Sequence, residues 1–449
     1  MTDIATGQGP QNKVNEQFSD LDLQNSARCR SCGGVDLVNV LSLGSTPLAN
    51  ALLTPAQLSE AEETFPLDLV FCSQCSLVQI TETVSPEKLF HEYFYLSSFS
   101  DTTLRHAEQI AGRLCESFQL NSKSLVVEIA SNDGYLLQFY KQAGVPVLGI
   151  EPAANIASVA ESERGIPTVC DFFDDALAAR LAAQNKRADI IHANNVLAHV
   201  ANLSGVVRGL EMLLKDTGVA VIEVPYVKDM LDGCEFDTIY HEHLCYFSLT
   251  AVSNLFRRHG LFISDVEHLD IHGGTLRIYA RKRAGSADSA DRNLDANHSS
   301  AAVEQLLQDE REGGLTEQDF YLSFGDRVEH LRGELLQLLA GLKSAGKRIA
   351  VYGASAKGST LLNYFGIGRQ TLEYVVDRSL VKQGHYTPGT HLPIYSPEKL
   401  IEDLPDYVLL LTWNFTEEIL EQQAEYLRLG GRFIIPIPSV RVVSALPNQ

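Results

Sequence analysis

Ser124-Leu-Val-Val-Glu-Ile-Ala130 followed by Ser131-Asn-Asp-Gly134 decides the fold of this chain. A continuous apolar run ends in a turn of small and polar residues, and a helix over Tyr135–Ala143 follows. Outward from it the pattern repeats. Strands are expected at Pro146–Pro152, Pro167–Phe173, Ala188–Val196 and Val219–Tyr226, with helices at Asn155–Glu163, Ala176–Gln184 and Leu203–Leu214 between them. Strand–helix alternation at this spacing predicts a parallel, doubly wound α/β sheet. After a helix over Thr250–His259, FISDVEHL and TLRIYARKR follow without a crossover helix, which predicts an antiparallel edge pair.

The chain has 449 residues, too many for one ordinary core, so several domains are expected. Residues 1–25 are polar and read as a disordered tail, 26–100 as a cysteine lobe with an aromatic bridge, and 101–284 as the first α/β domain. The Ser/Asp/Ala/Asn-rich stretch 285–300 reads as a linker. Residues 301–449 form a second, Rossmann-like α/β domain, with helices over Ala301–Glu312 and Glu317–Ala345 before its first strand, Arg348–Gly353. A formal charge of −21 disfavours a nucleic-acid partner. Without a signal core or a segment of membrane-spanning length, a cytoplasmic protein off the membrane is expected.

Cys29-x2-Cys32 and Cys72-x2-Cys75 are thiolate pairs suited to one tetrahedral zinc ion, with no open position for chemistry. The ion's expected role is to staple a lobe too small for a large core.

Polar residues at successive strand ends suggest one ligand. Glu128 would attract a cation, and the turn Ser131, Asn132, Asp133 and Gly134 lets backbone approach it. Glu151 suits the two hydroxyls of a ribose, and Asp171 and Phe172 suit the edge and face of an adenine. Asn195 closes the set after the fourth strand. An ammonium, a ribose and an adenine without phosphate describe S-adenosylmethionine. The second dense cluster is Glu235-Phe-Asp-Thr-Ile-Tyr-His-Glu-His243, which gathers two histidines, a tyrosine and three carboxylates after a buried strand. Such groups at a strand end suit proton transfer. The i, i+2 spacing of His241 and His243 is wrong for two metal ligands on one helix face. In the C-terminal unit Gly353-x4-Gly358 is followed by Ser359, neither a P-loop nor GxGxxG, although Lys357 at a helix start could meet a diphosphate.

RCRSCG, PLAN (Pro47–Asn50), YFYLSSFS, EIASNDGYLL, GIEPAANIA, NNVLAHV, EFDTIYHEHLCYFS, HGGTLR, YGASAKGSTLLNY and PGTHLPI occur in this order across nearly the whole chain. With them the chain resembles the zinc-containing sugar C-methyltransferases of deoxysugar biosynthesis. HGGTLR departs modestly, with Thr275 where serine is expected. The resemblance implies a methyltransferase domain of class I and methyl transfer to C3 of an NDP-4-keto-deoxysugar. The 4-keto group acidifies the C3 proton, and its removal gives an enolate. His243 is then the expected base, tuned by Tyr240 or Glu242. His199 would polarise the carbonyl, Tyr95 would cap the pocket, and His241 would only support it. Ser355, Lys357 and His272 would help hold the sugar nucleotide. The rivals are an NAD-dependent sugar-nucleotide oxidoreductase or epimerase, with Asp377 on a ribose; a C-methyltransferase of a non-sugar ketone; and a zinc-ribbon nucleic-acid adaptor. The sequence leaves the oligomeric state open and allows a monomer.

Overall fold

A computed structural model describes residues 27–85, 89, 98, 101–271, 273–283 and 298–445. The expected tail, Tyr95 and most of the aromatic bridge, His272 and most of the linker lie outside the described residues.

In the cysteine lobe β1 (Leu37–Thr46), β2 (Phe65–Cys72) and β3 (Val78–Ile80) form an antiparallel meander. Leu67, Leu69 and Phe71 alternate along β2 and are buried, as the two-residue period of a strand requires. The ring of Phe71 stacks on Tyr321 at 4.3 Å. Tyr321 belongs to the 27-residue helix Gln318–Ser344, which follows the first α/β domain in sequence. Phe71→Ala would leave a cavity at that junction and is expected to cost roughly 3–5 kcal/mol, read as a lowered midpoint in thermal unfolding.

The central sheet contains β4 (Val126–Ile129), β5 (Val147–Ile150), β6 (Thr168–Val169), β7 (Ala188–Asn194) and β8 (Leu214–Pro225). The next strand, β9 (Cys245–Tyr246), lies elsewhere; β10 (Leu261–Leu269) and β11 (Thr275–Lys282) complete this sheet. Its order is β10-β11-β8-β7-β4-β5-β6. Neighbouring strands from β8 to β6 are parallel, and β11 and β10 form the antiparallel edge. The helix Leu203–Leu213 buries Leu203, Val206, Val207, Leu210 and Leu213, one helical face, and Asn202 caps it by accepting from Gly205 N. β6 is shorter than expected, because Asp171 N turns back to donate to Val169 O and takes Asp171 and Phe172 out of the ladder.

Two features were not expected from the sequence. β9 stays out of the central sheet and pairs antiparallel with β3 of the cysteine lobe, Val78 opposite Tyr246 and Gln79 opposite Cys245. Glu310 of the helix Ala301–Glu312 is buried and accepts hydrogen bonds from Leu249 N and Thr250 N, capping the helix Leu249–Arg258.

The C-terminal sheet is built from β12 (Ile349–Tyr352), β13 (Val375–Val376), β14 (Ile394–Tyr395), β15 (Tyr407–Leu410), β16 (Arg432–Ile435) and β17 (Arg441–Val443). Its order, β14-β13-β12-β15-β16-β17, reverses between β12 and β15, the place where such sheets open a crevice. A single buried apolar cluster, including Phe71, Phe236, Tyr321 and Phe365, runs through all three sheets. Among the described residues no helix is long and apolar enough to cross a membrane.

Candidate active site

The three parallel strands β4, β5 and β6 end level with one another: Ile129 lies opposite Ile150, and Ile150 opposite Val169. Glu128, Glu151 and Asp171 therefore come together at one sheet edge. The turn between β4 and its helix holds Ala130 at φ 52 and Asn132 at φ 49, left-handed conformations that L side chains rarely adopt. At Gly134, φ 78, a Cβ would meet Ile166 Cγ1 at 2.9 Å, so a side chain fits neither the backbone nor the space.

Glu151 Oε2 accepts from Asn132 N at 3.0 Å and Oε1 from Ala153 N at 2.9 Å, so its carboxylate is fixed against the turn that follows β4. Glu128 and Asp133 are buried beside it. Among the described residues the cation paired with these three carboxylates is Arg164, 3.2 Å from Asp133 Oδ2. Glu128 Oε2 has no hydrogen-bond partner among them, and burial, then the neighbouring Asp133, Glu151 and Glu223, push the Glu128 carboxyl well up. A site so short of positive charge fits a ligand that brings a sulfonium and an ammonium. Asp171 pairs with Arg180 at 2.8 Å, and the adjacent Phe172 ring is 54% exposed, an uncovered face that an adenine could cover. Asn195, at φ 56 after β7, donates its N–H to Glu223 O.

Beyond β8, the loop Glu235–His243 carries the second set of residues. His243 Nδ1 lies 3.0 Å from Thr238 O, which can only accept, so Nδ1 carries the proton. Nε2 is thereby left as an acceptor, and it faces the Tyr240 hydroxyl at 2.8 Å. The His199 ring meets the His243 ring edge-on, with centroids 4.9 Å apart. Burial, then the neighbouring His199, hold His243 well below the usual imidazole range; burial likewise lowers His199. Glu242 Oε1 accepts from Asn50 Nδ2 at 2.7 Å, while burial pushes its carboxyl up. His241 turns the other way: it is buried, and its Nε2–H donates to Pro66 O of the cysteine lobe at 3.1 Å.

The same loop is braced from the C-terminal unit. Lys357 Nζ lies 3.5 Å from Glu235 Oε2 and 4.5 Å above the ring of Trp413. Burial raises the Glu235 carboxyl to about 7 despite that ammonium. Trp413 Nε1 donates to Asp237 Oδ2 at 2.8 Å, Thr360 Oγ1 donates to Ile239 O, and Phe365 stacks on Phe236 at 4.8 Å. Lys357 is thus directed at the loop holding His243. Ser355 caps the helix Ala356–Phe365, its Oγ accepting from Gly358 N. Asp377, the ribose ligand of the oxidoreductase alternative, accepts from Ala354 N and Ser379 N, with Lys382 3.8 Å away.

Sequence reasoning did not single out Asn50, Glu235, Asp237 or Trp413. Each had a signal: Asn50 ends PLAN, the two acids lie in the titratable run, and Trp413 is the one tryptophan of the chain.

In the lobe, the Sγ atoms of Cys29, Cys32, Cys72 and Cys75 lie within 4.8 Å of one another, and all four cysteines are free of disulfides. Four thiols converging from two knuckles fit a tetrahedral zinc ion with a complete ligand set.

Three family models match the chain: a zinc binding domain over residues 29–90, a methyltransferase domain over 104–265, and a C-methyltransferase C-terminal domain over 270–438. Solved structures similar to part of it include the PH0226 protein of Pyrococcus horikoshii OT3 (13% identity, 44% of this chain and all of that one, TM-score 0.36). Another is magnesium protoporphyrin IX methyltransferase of Synechocystis PCC 6803 with bound S-adenosylhomocysteine (12% identity, 44% of this chain and 92% of that one, TM-score 0.33). The strand order and the matched domains define an S-adenosylmethionine-dependent methyltransferase with a structural zinc site. The C-methyltransferase NovU of Streptomyces niveus is 39% identical over 417 residues, 93% of this chain and 97% of its own length. The chain belongs to this family of C-methyltransferases.

Proposed function

We propose that the protein methylates C3 of an NDP-4-keto-deoxysugar, with His243 as the base. The observation that carries this reading is the tautomer of His243: Nδ1–H is spent on Thr238 O, so Nε2 is the basic nitrogen and accepts from the Tyr240 hydroxyl. An unprotonated imidazole there can take a proton from carbon next to a carbonyl, which an unmodified sugar does not offer. Bound S-adenosylmethionine supplies the methyl group that the resulting carbon nucleophile attacks. The chain's own part is to hold that cofactor between Glu128, Glu151, Asp171 and Phe172, to keep His243 neutral, and to close water out. Tyr240 and His199, both beside the His243 ring, are the groups proposed to hydrogen-bond the developing enolate oxygen. Glu242, tied to Asn50, gives the cysteine lobe a hand in the same pocket. The crevice between β12 and β15, with Ser355 and Lys357 beside it, is the proposed place for the nucleotide. We place the domain limits as expected above, the first α/β domain ending near residue 284.

In deuterated water without the methyl donor, the wild-type protein is expected to exchange the C3 proton of an NDP-4-keto-deoxysugar, as seen by proton NMR. Absence of exchange with every nucleotide sugar tried, beside active methylation of another ketone, would redirect the reading to that ketone.

Two further outcomes are expected. Glu151→Ala should weaken S-adenosylmethionine binding, since each lost charge-assisted hydrogen bond to a ribose hydroxyl is worth roughly 1.5–3 kcal/mol. Calorimetry on folded protein would show this, with some loss of unfolding midpoint because Asn132 N and Ala153 N lose their acceptor, and unaltered affinity would move the cofactor elsewhere. The rate should also resist acid. With its pKa lowered, His243 stays unprotonated as pH falls through the ordinary imidazole value of about 6.5, so the acid limb of kcat lies below it. His199→Asn removes a neighbour that opposes a charge on His243, and the limb should move up.

A further inference from the structure

We propose that Trp413 and Asp237 are positioning residues for His243, so that the C-terminal unit sets the tautomer and aim of the base. This rests on the reading of His243 above but is tested apart from it.

Asp237 is completely buried on the short 3-10 turn Phe236–Thr238. One oxygen takes the indole N–H at 2.8 Å, and the other, Oδ1, has no hydrogen-bond partner among the described residues. A buried carboxylate depends on every group that faces it, here Lys357, the indole and the amides of its own turn. Burial pushes the Asp237 carboxyl up, while Lys357 and the indole oppose this. The carbonyl ending this turn is Thr238 O, the acceptor for His243 Nδ1–H, and Tyr246 OH lies 3.4 Å from the same oxygen. The path from indole to imidazole is therefore short: Trp413 N–H, Asp237 carboxylate, the turn, Thr238 O, His243 Nδ1–H. Were the turn to shift, Nδ1 would lose its fixed acceptor and the Nε2–H tautomer, which cannot accept a proton at that nitrogen, would become populated.

Trp413 is well placed to transmit events in its own unit. It opens the 3-10 turn Trp413–Phe415 after β15, at the crevice where the sheet order reverses. At Gly353 on the facing loop, φ 99, a Cβ would meet Thr412 Cγ2 at 2.6 Å, so the two loops are packed without slack. Lys357 sits over the indole face and reaches Glu235, the residue before the turn. What the crevice holds is thus one loop away from the base.

The test compares W413F, D237A and D237N in the full-length zinc protein. Readouts are kcat and KM for both substrates, the unfolding midpoint, and the side-chain 15N signals of labelled histidines, with His243 assigned by its loss in H243N. W413F keeps an aromatic ring and loses the donor; a displacement of about 1 Å can cost about 10²-fold in rate. W413F is expected to lower kcat about 10- to 100-fold with little change in KM for the methyl donor, and the Nδ1–H signature of His243 should become mixed. D237A should do the same. In D237N the amide oxygen still accepts the indole N–H, so the loss should be only a few-fold and the tautomer kept. Should W413F fail to fold, D237A against D237N carries the comparison. Wild-type kcat and tautomer in W413F or D237A would overturn the proposal. So would D237N being as damaged as D237A, because the charge and not the hydrogen bond would then matter. Failure of His243 as base would show as deuterium exchange persisting in H243N, whereas the tautomer signal reports positioning in either case.

Discussion

His243→Asn is expected to lower methyl transfer by about 10²–10⁴-fold and to remove the donor-independent exchange of the C3 proton, with cofactor and sugar-nucleotide affinity largely kept. The asparagine can still donate to Thr238 O, so the loop should hold its shape, but it offers no basic nitrogen toward Tyr240. Tyr240→Phe is expected to be milder if its hydroxyl orients the imidazole or bonds the enolate. Since proton removal precedes carbon–carbon bond formation, exchange by NMR reports the base apart from the methyl donor. Exchange at the wild-type rate in H243N, with loss in Tyr240→Phe or His199→Asn, would reassign the base within the same pocket.

Loss of zinc is expected to have an effect of similar size by another route. Structural zinc contributes apparent binding energies of about 10–16 kcal/mol in zinc-finger peptides, and the cysteine lobe has only a short meander of its own to replace it. This lobe is no appendage: its sheet is completed by β9, directly after His243, its Pro66 carbonyl holds His241, and its Asn50 holds Glu242. Chelated protein, or Cys72→Ser, should therefore lose methyl transfer while binding S-adenosylmethionine nearly normally, because the proposed cofactor edge belongs to the other sheet. Metal analysis alongside calorimetry and turnover would check this. Full turnover in protein shown to be zinc-free would contradict it.

Much of this was legible in the sequence because it rests on local rules. Apolar runs such as Val147–Ile150 read directly as parallel strands, and the positions of the strand-end carboxylates Glu128 and Glu151 follow from register. The paired CxxC knuckles announced their geometry by spacing. Contacts between distant segments were not legible. Nothing in Cys245-Tyr246 says that it joins a sheet formed some 165 residues earlier, since two-residue strands carry no periodicity of their own. Lys357 at a helix start suggested phosphate; only the folded chain brings Glu235 and Trp413 against it. The acids Glu235 and Asp237 were visible as composition, but their burial, which gives them a role, is tertiary.

Carbon methylation of a ketosugar nucleotide can be followed through one labelled methyl group. The purified protein would be incubated with 13C-methyl S-adenosylmethionine and a panel of NDP-4-keto-deoxysugars, and the products read by mass spectrometry and carbon NMR. The expected product is a sugar nucleotide heavier by one labelled methyl in place of a hydrogen, with the label bonded to C3 and no proton left on that carbon. Label on oxygen or nitrogen, or on another ring carbon, would contradict it.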